Sequence, residues 1–282
     1  MFYKFNLDLD LELKNNIFNE LFNSVNFEQV SKGRFGANCF YSLDNTIPLV
    51  RTTTIYSNPI QKFTQPYNLI LNQIKSQAIK IFDIDVGELN NGLVEIYTNE
   101  YKTMGFHSDQ TLDLKPDSWI CIFTTYSNLE LTSSTRKLVT QSKITGIQQE
   151  YELTHNSIII FDTNTNNTHI HKIVLSNSNS NSNSNSNSNS NSNSNSNSNS
   201  NSNSNSNSNQ WLGITFRTSK TFIKFENSKP YFSDTMDDFV LASEQEKKEF
   251  YRLRSQENKT INFTYPYINY TISLSDLVDP YL

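Results

Sequence analysis

Leu93-Val94-Glu95-Ile96-Tyr97, followed shortly by His107-Ser108-Asp109, is the stretch whose reading decides the fold. The first run is short, apolar and partly β-branched, with an aromatic end, which is the composition of a strand. The second sets an imidazole and a carboxylate at i and i+2. In an extended backbone these side chains leave the same face, so both can grip one ion. Outward from here the texture repeats. Trp119–Tyr126, Ser157–Phe161, Ile170–Leu175 and Trp211–Arg217 are each short, β-branched or aromatic, and bounded by Asn, Asp, Ser or Thr. Helices first and a block of strands after them predict an α+β chain, a β-sandwich or jelly roll supported by helices.

The helices lie mostly outside that block. Leu13, Ile17, Leu21 and Val25 fall on one helical face, and Leu71, Ile74, Ala78 and Ile81 on another. Ser243-Glu244-Gln245-Glu246 opens a charged helix with a capping box. Its alternating signs predict a solvated surface helix. Residues 176–209 are pure Ser-Asn alternation and offer no apolar side chain to bury, so they predict a disordered surface loop. The organisation expected is therefore 1–44 as an N-terminal helical extension packed on the core, 45–225 as the strand-rich domain containing the Ser-Asn loop, and 226–282 as a C-terminal extension with the charged helix.

The chain has 282 residues and a net charge of −5. That balance argues against a broad nucleic-acid surface, which needs clustered Lys and Arg, while leaving room for a local basic groove. Cys39 and Cys121 are too few and too far apart for a disulfide framework or a zinc motif, and Cys121 reads as a buried thiol. The N-terminus lacks the pattern of a signal peptide, and no apolar run is long enough to span a membrane. The Asn-X-Thr triplets at Asn258, Asn262 and Asn269 then read as accidental. A cytoplasmic or nuclear location and no membrane partner are expected; oligomeric state is not legible.

There are four histidines: His107, His155, His169 and His171. His-X-Asp alone is a weak signal. It strengthens because a later strand carries His171-Lys172-Ile173, and again because a further strand ends in Arg217. Two His and one carboxylate leave three positions of an octahedron open, the arrangement used by non-haem iron(II) oxygenases. An arginine fork can hold a carboxylate with two hydrogen bonds. His155, before an apolar run, reads as a turn histidine, and Arg51 as half of a structural ion pair. Tyr97 reads either as sheet core or as a site residue.

Several segments, in order, resemble the AlkB-like 2-oxoglutarate oxygenases. Ile47-Pro48-Leu49-Val50-Arg51 through Tyr56 resembles that family's Pro-Arg…Tyr-Gly strand. Leu93–Glu100 with His107-Ser108-Asp109 resembles its Asn-x-Tyr…His-x-Asp segment. Ser134–Leu138, Leu153–Phe161 and Leu212-Gly213-Ile214-Thr215-Phe216-Arg217-Thr218 resemble its later strands. The resemblance covers roughly 45–220 and implies a double-stranded β-helix, a jelly-roll variant, with flanking helices. It implies that His107, Asp109 and His171 hold Fe(II), with His171 preferred to His169. It implies further that Tyr97 and Arg217 contact 2-oxoglutarate.

The implied reaction consumes O₂ and 2-oxoglutarate and oxidatively dealkylates nucleobases in single-stranded DNA or RNA. The alternatives are an oxygenase acting on protein or a small molecule, and an altered or inactive member kept as a binding module. The chain departs from the family at named places. The first of two arginines six apart, which usually holds the distal carboxylate of 2-oxoglutarate, is Trp211. The Asn before the Tyr is Glu95, unfavourable beside a dianion unless it points away or is protonated. The base-reading acid is Gln110 or Thr111, with Asp113 nearby but shifted. Three readings stay open: Arg217 or Arg136 takes the carboxylate, the cosubstrate binds differently, or activity is lost.

Overall fold

The computed structural model describes residues 1–131, 134–176 and 209–282. The expected Ser-Asn loop lies almost entirely outside the described residues. In chain order the elements are β1 (Tyr3–Asn6), α1 (Leu11–Phe22), β2 (Glu28–Ser31), β3 (Arg34–Phe40), β4 (Ile47–Leu49), β5 (Gln61–Lys62), α2 (Gln65–Phe82) and β6 (Asn91–Tyr97). Then come β7 (Trp119–Tyr126), β8 (Arg136–Ser142), β9 (Gln148–Leu153), β10 (Ser157–Asp162), α3 (Thr163–Thr168), β11 (His169–Leu175) and β12 (Trp211–Arg217). The chain closes with β13 (Thr221–Glu226), β14 (Lys229–Phe232), β15 (Val240–Leu241), α4 (Glu244–Lys259) and β16 (Tyr270–Thr271).

Among the described residues a main sheet runs β1-β10-β7-β12-β6-β3-β2, with β5 beside β3, and a smaller sheet runs β11-β8-β9. An isolated bridge, His107 to His171, adds the 107 segment beside β11. From β6 onward the chain alternates between the two sheets. β6, β7, β10 and β12 lie in the main sheet, and the 107 segment, β8, β9 and β11 lie in the smaller one. The spatial orders are β10-β7-β12-β6 and 107-β11-β8-β9. That winding is a double-stranded β-helix within an α+β chain.

Strand alternation assigns the two faces of the main sheet. Val94, Ile96, Cys121, Phe123, Leu212, Ile214 and Phe216 face the helical layer. There they meet Ile17, Phe18 and Leu21 of α1 and Tyr67, Ile70, Leu71, Ile74 and Ala78 of α2. The opposite face, with Tyr97, Ile120, Ile122 and Trp211, packs on Leu138, Leu153 and Ile173 of the smaller sheet. Buried apolar side chains on both faces explain why these strands read as nearly continuous apolar runs.

The structure differs from the expectations in places. The segment 1–44 holds one helix, but β1 pairs with β10 at one edge of the main sheet and β3 with β6 towards the other. Gly36 in β3 weakens the sequence signal for a strand. It is required because a Cβ there would approach the hydroxyl of the buried Tyr56 to 2.8 Å and its ring to 2.9 Å. The helix α4 is not merely solvated, since Phe250, Leu253 and Glu257 are buried. Its capping box forms as expected. Ile81 is 49% exposed, so the buried face of α2 runs through Ile70, Ile74 and Ala78 instead. Cys121 is buried, and burial pushes its thiol pKa up.

These faces set a stability contrast. Ile74→Ala deletes methylenes from the packed layer and should lower the unfolding free energy by about 2–5 kcal/mol. Ile81→Ala, on the exposed side, should stay within about 0.5 kcal/mol of the parent. Urea denaturation of the two variants measures this, and equal losses would contradict the assignment of faces.

Candidate metal site

The 107 segment meets β11 through two backbone bonds, His107 N to His171 O at 2.9 Å and His171 N to His107 O at 2.6 Å. A directly opposed pair of residues sends its side chains to one face, and the two imidazole centroids are 4.7 Å apart. Two residues on, Asp109 returns to that face, with Oδ2 3.7 Å from His171 Nε2. The three sequence candidates are thus neighbours. They line a cavity of about 100 Å³ inside the mouth of the β-helix, together with Arg34, Arg217 and Arg254.

The other two histidines lie elsewhere. His169, at the start of β11, has its Nδ1 by Thr165 O and Thr168 Oγ1. His155 sits at the turn before β10, with Nε2 2.8 Å from Lys14 O. Neither lines the cavity. A larger cleft of about 560 Å³ lies by Asp117, α3 and Tyr265, but it contains no histidine, so the metal chemistry belongs to the smaller space.

Electrostatics keep the imidazoles neutral. Burial, with His107 adding to it, pushes the His171 pKa down to about 3. Burial and then Arg254 lower that of His107. His107 Nδ1 lies 3.0 Å from Gly105 O, which suits an Nδ1–H donor and leaves Nε2 as the free lone pair. Burial alone would raise the Asp109 carboxyl, but Arg217, followed by the two histidines, holds it below its ordinary value.

Among the described residues no three His, Cys, Asp or Glu side chains form a ready coordinating group. Asp109 Oδ1 accepts from Arg217 Nη2. Among the described residues its Oδ2 is buried without a hydrogen-bond partner. A lone buried carboxylate oxygen facing two neutral imidazoles is costly unless something cationic meets it. The donor chemistry therefore suits a divalent metal, with His107, Asp109 and His171 to hold it.

The positions expected to take 2-oxoglutarate are engaged internally. Tyr97 is fully buried, and its hydroxyl donates to Glu95 Oε2 at 2.6 Å. Glu95 Oε1 accepts from Arg34 Nε at 2.7 Å. The acid that departs from the family pattern is thus neutralised within the sheet. Trp211 stacks on Tyr97 with centroids 4.6 Å apart. Its indole lies over Gly213, where a Cβ would come within 1.9 Å of it. Arg136 is buried, and among the described residues it has no acid beside it: Nη2 donates to Thr98 O and Tyr101 O, Nη1 has no hydrogen-bond partner there, and burial draws its pKa down to about 10. Arg51, as expected of an ion pair, is bound to Asp113.

Sequence reading missed Asn166 and Arg254. Asn166, in a short polar helix, closes a two-way bond with the Asp109 backbone. Arg254 belongs to a helix whose polar residues all look alike in sequence; the signal lies in the i, i+3, i+4 spacing of Arg254, Glu257 and Asn258.

No protein-family model matches the chain, and no curated protein matches it. Among solved structures it is similar to a Pseudomonas putida prolyl-4-hydroxylase. The identity is 9%, the TM-score 0.42, and the match covers 77% of this chain and 92% of that one. The fold assignment above stands on strand order and register.

The depressed His171 value carries a pH dependence. An unfolded chain gains a proton on this residue below about pH 6.5, whereas the folded chain does not until about pH 3. Unfolding therefore takes up a proton in that window, so stability falls as pH drops through it, by up to about 1.4 kcal/mol per unit. Urea unfolding of metal-free protein at pH 7, 6 and 5 should show this slope, and His171→Gln should flatten it. Equal slopes in the two proteins would refute the buried neutral imidazole.

Proposed function

We propose that this chain is an iron(II)- and 2-oxoglutarate-dependent oxygenase of AlkB-like type. The observation that carries the reading is the meeting of two neutral imidazoles and a carboxylate with an unpartnered oxygen at the mouth of a double-stranded β-helix. His107, Asp109 and His171 would hold iron on one side and leave the cavity side open. Bound there, iron supplies the redox chemistry for oxidising a C–H bond. The protein's own part is to orient and to hold charge. Arg217 fixes the Asp109 carboxylate, and the other two arginines at the cavity, Arg34 and Arg254, are paired with Glu95 and Glu257. A five-carbon diacid reaching towards position 211 requires the Trp211 indole to leave Gly213.

The substrate class rests on the sequence resemblance, which favours alkylated bases in single-stranded DNA or RNA; a protein side chain or small molecule is the competing choice. Turnover against methylated single-stranded DNA and RNA, followed by 2-oxoglutarate consumption, separates them.

A second reading is favoured by the packing of Trp211 on Gly213 and by the Asp109–Arg217 pair: a metal-binding module that takes no cosubstrate. Two measurements divide the readings. Under anaerobic conditions, iron(II) with 2-oxoglutarate should give a weak visible charge-transfer band, and admitting air should release succinate. Metal bound with neither signal supports the module. In a Trp119→Phe variant, Trp211 is the remaining tryptophan. Its emission should shift on adding Mn(II) and 2-oxoglutarate together if the cosubstrate displaces the indole.

The ligand assignment has its own check. His171→Ala should abolish Fe(II) binding, whereas His169→Ala should leave it nearly intact. A reversal in equilibrium dialysis would overturn the assignment.

A further inference from the structure

The segment 107–111 has almost no regular secondary structure, yet its backbone is bonded at nearly every residue. His107 is held by β11 and Asp109 by Asn166. The remaining bonds come from the last turn of α4. Asn258 Oδ1 accepts from Ser108 N at 3.0 Å and from Ser108 Oγ at 3.2 Å, while Arg254 Nη2 donates to Ser108 O. Glu257 Oε1 accepts from Thr111 N at 2.8 Å and Thr111 Oγ1 at 2.6 Å. Its other oxygen accepts from Arg254 Nη1 and Tyr265 Oη, both at 2.7 Å.

Glu257 is 2% exposed, a buried carboxylate whose bonds go to a loop and to the residues around it. Such a group is expensive to desolvate unless all its lone pairs are used, and here they are. The helix itself is fixed. Phe250 and Leu253 pack on Leu112, Ile268 and Tyr270, and Lys143 Nζ donates to the carbonyls of Glu257 and Thr260 at the C-terminal end. Residues 254, 257 and 258 lie on one helical face. They grip Ser108 and Thr111, so that His107 and Asp109 are left to face the cavity.

We propose that Arg254, Glu257 and Asn258 are positioning residues of the metal site, and that the C-terminal helix sets metal affinity by fixing the backbone between and beside two ligands. The proposal rests on the metal reading above. Partners that orient ligands commonly change affinity by about 10–100-fold when removed. A merely structural tether would lower the melting temperature of the metal-free protein and leave the affinity of folded protein unchanged.

The test uses Co(II) as the probe and its visible absorption bands as the readout, on the full chain, with folding checked by circular dichroism. Asn258→Ala should weaken Co(II) binding about 10–100-fold. Asn258→Asp, which keeps an acceptor for Ser108, should recover most of that loss. Glu249→Ala, which removes only a surface partner of Arg252, should bind as the parent does. Glu257→Gln keeps an oxygen for Thr111 and should weaken binding less than Glu257→Ala. If Glu257→Ala does not fold, the half-buried Asn258 decides the matter. Folded Asn258→Ala with Co(II) affinity within twofold of the parent overturns the proposal while the metal reading stands. A parent chain that gives no Co(II) bands overturns the metal reading, and this proposal with it.

Discussion

Two backbone hydrogen bonds, His107 to His171 and back, hold the candidate site together. They set the register between an otherwise irregular segment and β11. Side chains alternate faces along an extended chain, so a slip of one residue would turn Ser108 inward and His107 outward. The register is secured from both sides. β11 is fixed to β8 along its whole length, and a second bridge, Thr103 to Val174, offset by one residue from the first register, holds the other end of the segment to β11. The jelly roll thus does more than enclose an apolar core. Its smaller sheet is the ruler that brings one imidazole from each of two distant segments within contact.

Around that ruler several buried charges are arranged in pairs. Arg217 meets Asp109, Arg34 meets Glu95, and Arg51 meets Asp113. Each pair removes a charge that could not stand alone at low dielectric. Glu95 is the informative case. It replaces an amide in the family pattern, and in isolation a carboxylate there would repel an anionic ligand. With Arg34 and the Tyr97 hydroxyl on its two oxygens it is a closed unit. Arg136 is held differently: its guanidinium rests on two carbonyls and on the Tyr97 ring, 5.0 Å away, with no acid beside it among the described residues.

Four of the five core strands were legible because each is buried on both faces, which writes a continuous apolar run into the sequence; β11, buried only at His171 and Ile173, was legible from its β-branched residues. The two strand-borne histidine positions and Asp109 were legible for a related reason, since period-two geometry ties residue spacing to facing. What escaped reading was whatever depends on partners far away in the chain. β3 carries Gly36 and Asn38, residues poor in strand propensity, and is a strand because β6 lies beside it. Ile81 continues a helical repeat, yet α2 ends at Phe82 and its last turn faces solvent. Glu257 looks like any surface glutamate until Thr111 and Tyr265 are placed around it.

The pair Trp211 and Gly213 shows how a site can change without losing its frame. Positions 211 and 213 share a face of β12, as do Thr215 and Arg217. An indole lying along that face needs the residue two places on to have no side chain, and glycine there would leave a void without the indole. The two residues therefore act as one packing unit. Its effect is local, because Leu212, Ile214 and Phe216 face the opposite way and keep the sheet bound to the helical layer. The part of the cavity lined by His107, Asp109 and His171 is set by the His107–His171 register and is independent of that unit. The packing of Trp211 on Gly213 and the backbone bonds between His107 and His171 are thus two separate sets of contacts.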